Sequence, residues 1–179
     1  LYNGPWVAER TAAIQDLLAS NPDAIHETVR QIVEPGLSKS AVDVFNGMYR
    51  LAELKRQADG LWGEVDMLAF PTTGATYRVA ELLVAPVALN SNLGFYTNFV
   101  NLLDMAAVAV PAGTRSNGTG FGITLIGPAD SDQALLGAAE TYLAVADLPA
   151  PPALDLEGKM ESVKLAVVGA HLKDMPLHW

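Results

Sequence analysis

Tyr2 and Arg10 stand eight positions apart, on either side of Pro5 and Trp6. A guanidinium grips a carboxylate through two parallel N–H donors and a phenol adds a third contact, so this pair has the chemistry to hold a small acid. A helix opening at Pro5 places Arg10 on its second turn, on the same face as Trp6. Taken by itself, the local sequence favours the plainer reading of Arg10, a surface ion pair with Glu9 or Asp16, and leaves the binding role open. Other candidates carry less chemistry. Asp59, Glu64 and Asp66 flank Trp62; paired acids serve acid–base catalysis, but this spacing suits a solvated helix end. His26, His171 and His178 are scattered without ligand spacing, so no metal site is expected. Gly118, Gly120 and Gly122 alternate ahead of a strand-like segment and fit a hairpin loop with positive φ better than a phosphate cradle. Ser91, in Asn90-Ser91-Asn92, suits loop hydrogen bonding, and the GxSxG nucleophile turn is absent.

The composition narrows the classes further. With 20 acidic and 11 basic side chains the net charge of the 179 residues is −9, which disfavours nucleic acid and anionic membrane surfaces as partners. Half the residues are hydrophobic, enough for a packed core. The chain contains no Cys, which removes disulfides, thiolate metal sites and Cys nucleophiles and is compatible with a reducing cytoplasm. Apolar stretches such as Met105 to Val110 are too short to span a bilayer. The opening Leu1-Tyr2-Asn3-Gly4-Pro5-Trp6 lacks the basic and apolar regions of a signal peptide. A start at Leu1, and an apolar run at Leu165 to Val168 close to the last residue, give the expectation of a piece of a larger protein, cut at both ends.

The elements that must position these side chains follow from periodicity. Three helices come first. One runs from Pro5 through Ser20. A second restarts at Asn21-Pro22-Asp23, with Ile25, Val29, Ile32 and Val33 as its buried stripe, and stops at Pro35-Gly36. A third opens with a capping box of Ser40 and Asp43 and continues to about Gly60, with Val44, Met48 or Tyr49, Leu51, Leu54 and Trp62 along one side. Met67 to Phe70, closed by Pro71, reads as a buried strand. A short helix over Arg78 to Leu83, a polar loop over Leu89 to Gly94 and a helix over Tyr96 to Asp104 follow. Ala106 to Pro111 and Phe121 to Ile126 form a hairpin around the Gly113 to Gly120 loop. Ser131 and Asp132 cap a last helix, Gln133 to Ala146, with Leu135, Leu136, Ala139 and Leu143 on one face. The fold class is α/β, a mixed β-sheet covered by helices over residues 1–147. A Pro-rich linker occupies 148–159, and 160–179 begin a second domain.

Several segments together resemble one family. Tyr2 to Arg10, Asp66-Met67-Leu68-Ala69-Phe70-Pro71-Thr72-Thr73, and Asn90 to Asp104 with its Tyr96-Thr97-Asn98-Phe99-Val100-Asn101 block are similar to allophanate hydrolases. Ala109-Val110-Pro111-Ala112-Gly113 and Gly120 to Ala129 are similar to amidase-signature enzymes in general. The resemblance implies a partial amidase-signature fold and a cytoplasmic enzyme that hydrolyses allophanate to ammonia and carbon dioxide in urea and s-triazine nitrogen metabolism. It implies no cofactor, and a homodimer for the intact protein. It implies a Ser nucleophile activated through a second Ser and a Lys, with an oxyanion hole of backbone N–H groups. That Gly/Ser-rich motif is absent here, so no catalytic residue is assigned and the remainder of the amidase domain is expected upstream. What the resemblance does transfer is substrate binding, to Tyr2 and Arg10. Pro71, Thr72 and Thr73, at a strand end, are weaker candidates for lining the pocket. An alternative of another class is a non-catalytic binding or partner subunit; a further alternative keeps the enzyme class and changes the substrate, to another amide such as carboxybiuret or a glutaminyl group.

Overall fold

The computed structural model describes residues 4–148. The expected linker beyond Leu148 and the segment 160–179 lie outside the described residues, as does Tyr2.

The first helix, α1, runs Val7–Ser20, as the position of Pro5 requires. The next stretch differs from expectation. Pro22–Ala24 makes only one 3-10 turn, and Ile25 is extended (φ −94°, ψ 129°). Helix α2, Glu27–Val33, restarts from His26, whose Nδ1 accepts the Thr28 N–H at 3.2 Å. An imidazole is thus the N-cap here, a role usually taken by Ser, Thr, Asp or Asn. Of the stripe expected on this helix, Val33 is buried while Val29 and Ile32 are exposed. The chain then tightens into a second 3-10 turn, Glu34–Ser38. Helix α3, Ala41–Asp59, begins at the expected capping box: Asp43 N–H donates to Ser40 Oγ at 3.1 Å, and Ser40 N–H donates to Asp43 Oδ2 at 2.9 Å.

Three strands form one antiparallel sheet in the order β1-β3-β2. They are β1 (Leu68–Pro71), β2 (Ala106–Thr114) and β3 (Gly120–Gly127). Leu68 pairs with Ile126 and Pro71 with Ile123, and Val110 meets Ile123 from the other side. The hairpin is longer than its apolar pattern suggests, because a bulge between Pro111 and Gly113 carries pairing out to Thr114 and Gly120. Of the alternating glycines only Gly118 takes a positive φ (83°); among the described residues Gly113, at the bulge, is the other glycine that does (120°). Strand alternation sends Leu125 and Val110 toward helix α7, Asp132–Val145, where they pack with Leu135 and Ala139. Leu136 and Leu143 of that helix are exposed. Ser131 sits at its N-cap position but donates to the Pro128 carbonyl at 2.7 Å instead of capping.

Between β1 and β2 lie α4 (Val79–Val84), α5 (Pro86–Leu93) and α6 (Phe99–Leu102). The Leu89 to Gly94 stretch, expected as a polar loop, is helical because Pro86 starts a turn that Asn90 and Asn92 continue. The Tyr96 to Asp104 helix shrinks to one turn that ends in Asp104 at φ 56°. Lys55 of α3 ties that end down, donating to Asp104 Oδ2 at 2.8 Å and to the Leu103 carbonyl at 3.2 Å. Phe70 packs between Tyr96 and Phe99, at ring separations of 6.4 and 6.2 Å. Among the described residues no helix is long and apolar enough to cross a membrane.

Candidate functional site: a cationic cavity on the first helix

Two close approaches hold the start of the chain against the helices that follow. Thr11 is a polar residue in mid-helix and is only 3% exposed. Its hydroxyl lies 2.8 Å from the Val7 carbonyl of its own helix and 2.5 Å from the Val33 carbonyl at the end of α2, and its single proton is shared between them. Gly36 makes this approach possible. A Cβ there would overlap Thr11 Oγ1 and stand 2.9 Å from the Val7 carbonyl oxygen. The Glu34–Ser38 turn is therefore seated directly on α1. On the other side, α3 meets the chain entry at Gly47, where a Cβ would stand 2.5 and 2.6 Å from Pro5 Cγ and Cδ.

Beside these contacts lies a half-open cavity of about 330 Å³. Val7, Ile32, Pro35 and Leu102 supply apolar wall, and Gly4 and Trp6 border it. Among the described residues the two charged members of the lining are both cations, Arg10 and Lys39. Arg10 lies one turn after Trp6, so helical spacing brings both into the same lining, as expected. The surface ion pairs that the local sequence favours for Arg10 do not form: among the described residues it has no salt bridge with Glu9, Asp16 or any other acid. Arg10 is solvent-exposed, so its donors are open to a ligand. A second, more open cavity of about 470 Å³ lies around Asp23, His26 and Arg30. There Arg30 already donates to Asp23 at 3.0 Å and faces Glu34 at 3.8 Å, so its charge is spent within the protein.

The other sequence candidates fall elsewhere. Pro71, Thr72 and Thr73 are not in the lining of the Arg10 cavity. Thr72 N–H donates to the Gly122 carbonyl at 2.9 Å, and Thr72 Oγ1 accepts from Thr124 at 2.9 Å. The Thr73 and Gly74 carbonyls accept from Arg115 at 2.6 and 3.2 Å, and the same guanidinium covers the Phe121 ring at 5.0 Å. This cluster binds the end of β1 to the hairpin. Asp59, Glu64 and Asp66 are exposed around the end of α3, as their spacing suggested. Ser91 donates to the Val87 carbonyl one helical turn back, at 2.8 Å. Asp43 is held below its ordinary pKa of 3.8 by the Ser40 hydroxyl, then by the Ser40 backbone N–H. Sequence reasoning passed over Lys39. Its one visible signal was position, directly between the Pro35-Gly36 break and the Ser40 cap.

The family of the chain follows from comparison with known proteins. The family described as Amidase matches residues 9–136, and the chain belongs to it. Within that family it is similar to the urea amidolyase of Saccharomyces cerevisiae, with 42% identity over 198 aligned residues that take in 100% of this chain and 11% of the relative. The solved structure of Kluyveromyces lactis allophanate hydrolase superposes with a TM-score of 0.77 at 40% identity, covering 99% of this chain and 32% of that one. The K. lactis urea amidolyase structure does so with a TM-score of 0.77 at 38% identity, covering 100% of this chain and 12% of that one. The chain thus has part of the amidase-signature fold. It spans about a tenth of the length of the curated relatives it matches.

Proposed function

We propose that this chain is the substrate-recognition part of an allophanate hydrolase, the C-terminal portion of its amidase domain. The observation that carries the proposal is Arg10: a guanidinium with no ion pair among the described residues, on a partly apolar cavity, in a chain of about 40% identity to an allophanate hydrolase along its length. Allophanate is a small planar urea derivative ending in a carboxylate. Arg10 holds that carboxylate through two parallel N–H donors, and Tyr2 adds its hydroxyl. Bond cleavage belongs to a Ser-Ser-Lys arrangement supplied by the rest of the amidase domain, with no cofactor. There a Ser attacks the amide carbonyl, backbone N–H groups stabilise the tetrahedral oxyanion, its collapse expels ammonia protonated through the second Ser and the Lys, and water then hydrolyses the acyl-Ser ester. The complete protein acts in the cytoplasm, as a homodimer.

The test is an ammonia-release assay on the complete protein with allophanate, carboxybiuret and a glutamine amide side by side. Allophanate is expected to turn over fastest, with malonate as a competitive inhibitor. Turnover of a neutral amide in preference to allophanate, without inhibition by malonate, would overturn the assignment.

A further inference from the structure

Lys39 reaches the same cavity as Arg10 from a different element. Arg10 belongs to α1, whereas Lys39 follows the Glu34–Ser38 turn that Thr11 and Gly36 press onto that helix. Nothing in the fold consumes its charge. Among the described residues Lys39 has no ion pair and no side-chain hydrogen bond. Asp43 is the acid whose charge is felt with it, yet the Asp43 carboxylate is engaged by Ser40 N–H at 2.9 Å and Ser40 Oγ at 2.7 Å. Helix stability does not explain the residue either. Lys39 directly precedes the N-cap of α3, where a cation opposes the helix dipole. In a chain of net charge −9, the described residues of this cavity lining therefore include two cations unpaired among the described residues and no carboxylate. Like charges so placed repel, and an anion bound between them removes the repulsion while gaining attraction from both.

We propose that Lys39 is a second cationic binding residue for the carboxylate held by Arg10, which makes this cavity selective for small anions over their neutral amide counterparts. The proposal rests on the carboxylate-recognition role assigned to Arg10. The planar fork of Arg10 sets the orientation of the acid group, and Lys39 contributes a compact point charge from a different element. Trp6 and the apolar wall exclude water from one side of the ligand, which strengthens both contacts.

Calorimetric titration of the complete protein with malonate, and with neutral malonamide as control, tests this. Lys39→Met is expected to raise the Kd for malonate about tenfold and leave malonamide unchanged, with Lys39→Arg restoring most of the affinity. Added salt should weaken malonate binding more in the parent protein than in Lys39→Met. Equal losses for malonate and malonamide would mean a distorted cavity and would overturn the charge role. Unchanged malonate affinity in Lys39→Met, with binding lost in Arg10→Ala, would remove Lys39 and leave Arg10 in place. Malonate binding that neither substitution affects, or none in the parent protein, would overturn the Arg10 assignment and this inference together. Lys39 is exposed, so Lys39→Gln serves as a second neutral variant should the Met side chain perturb folding.

Discussion

At the scale of the residue, the decisive fact about Arg10 is that its neighbours leave it alone. A surface arginine on a helix commonly pairs with a carboxylate one turn away, as Arg50 does with Glu53 at 2.6 Å. Arg10 does not, and it borders a cavity instead. Removing it from the complete protein should therefore cost substrate binding and little folding stability. Arg10→Ala is expected to lower kcat/KM for allophanate by about 1.5–3 kcal/mol, on the order of ten- to a hundredfold, expressed mainly in KM. Arg10→Lys should fall between the two, because a single ammonium keeps the charge but loses the parallel donors. Steady-state kinetics of the three proteins decide it, and an Arg10→Ala enzyme with parental KM would place substrate binding elsewhere. The position of Arg10 was legible beforehand: the spacing from Trp6 put both on the side of α1 that lines the cavity. The choice between an ion pair and an open cation was not legible, since it depends on where Glu9 and Asp16 point in three dimensions.

At the scale of the element, the cavity depends on how the Glu34–Ser38 turn sits on α1. The Thr11–Val33 hydrogen bond spans 22 residues, and Gly36 permits it by lacking a side chain. Gly36→Ala should force the turn off the helix, destabilise the protein by about 1–3 kcal/mol and weaken malonate binding, because Arg10 and Lys39 separate. Thermal unfolding and calorimetry on the same variant check both effects. The capping box of α3 gives a second expectation. Hydrogen bonds from Ser40 lower the Asp43 pKa in the folded state. Its contribution is therefore fully present above the ordinary value of 3.8 and is lost as the pH falls through the lower, folded-state value. The unfolding midpoint of Asp43→Asn should lie below the parent's at neutral pH, with the gap closing below about pH 4. A gap that persists undiminished in acid would mean that the carboxylate charge is not what caps the helix. Elements of this kind were readable where the signal is local. The Ser40 and Asp43 box, the β2–β3 hairpin and the Pro5 helix start all depend on residues a few positions apart. The α2 region was misplaced because its cap is an imidazole, and because Ile32 and Val29 follow a buried stripe in sequence yet stand exposed. The α5 helix was missed because Asn90-Ser91-Asn92 carries loop composition, which the Pro86 start outweighs.

At the scale of the molecule, the question is what covers the apolar surface. Val42, Phe45 and Tyr49 recur at helical spacing along α3 and remain 67%, 55% and 69% exposed, with the Phe45 and Tyr49 rings 6.4 Å apart. Val79, Leu83 and Val84 of α4 are more exposed still. Among the described residues the sheet leaves β1 and β2 as edges. Chains that fold in isolation rarely expose apolar patches and open strands together, because both invite association. This chain accounts for 32% of the K. lactis allophanate hydrolase chain it superposes on, so under the proposed function the rest of an amidase domain is the natural cover. The 179-residue chain produced by itself should then bind a hydrophobic dye, sediment as a mixture of associated species and release no ammonia from allophanate. Co-expression with the remaining amidase segment should suppress dye binding, give a single sedimenting species and restore turnover. A lone chain that sediments as a monomer and ignores the dye would show the apolar faces of α3 and α4 to be ordinary surface. Turnover by the lone chain would refute the division of labour itself, placing the nucleophile among residues present here.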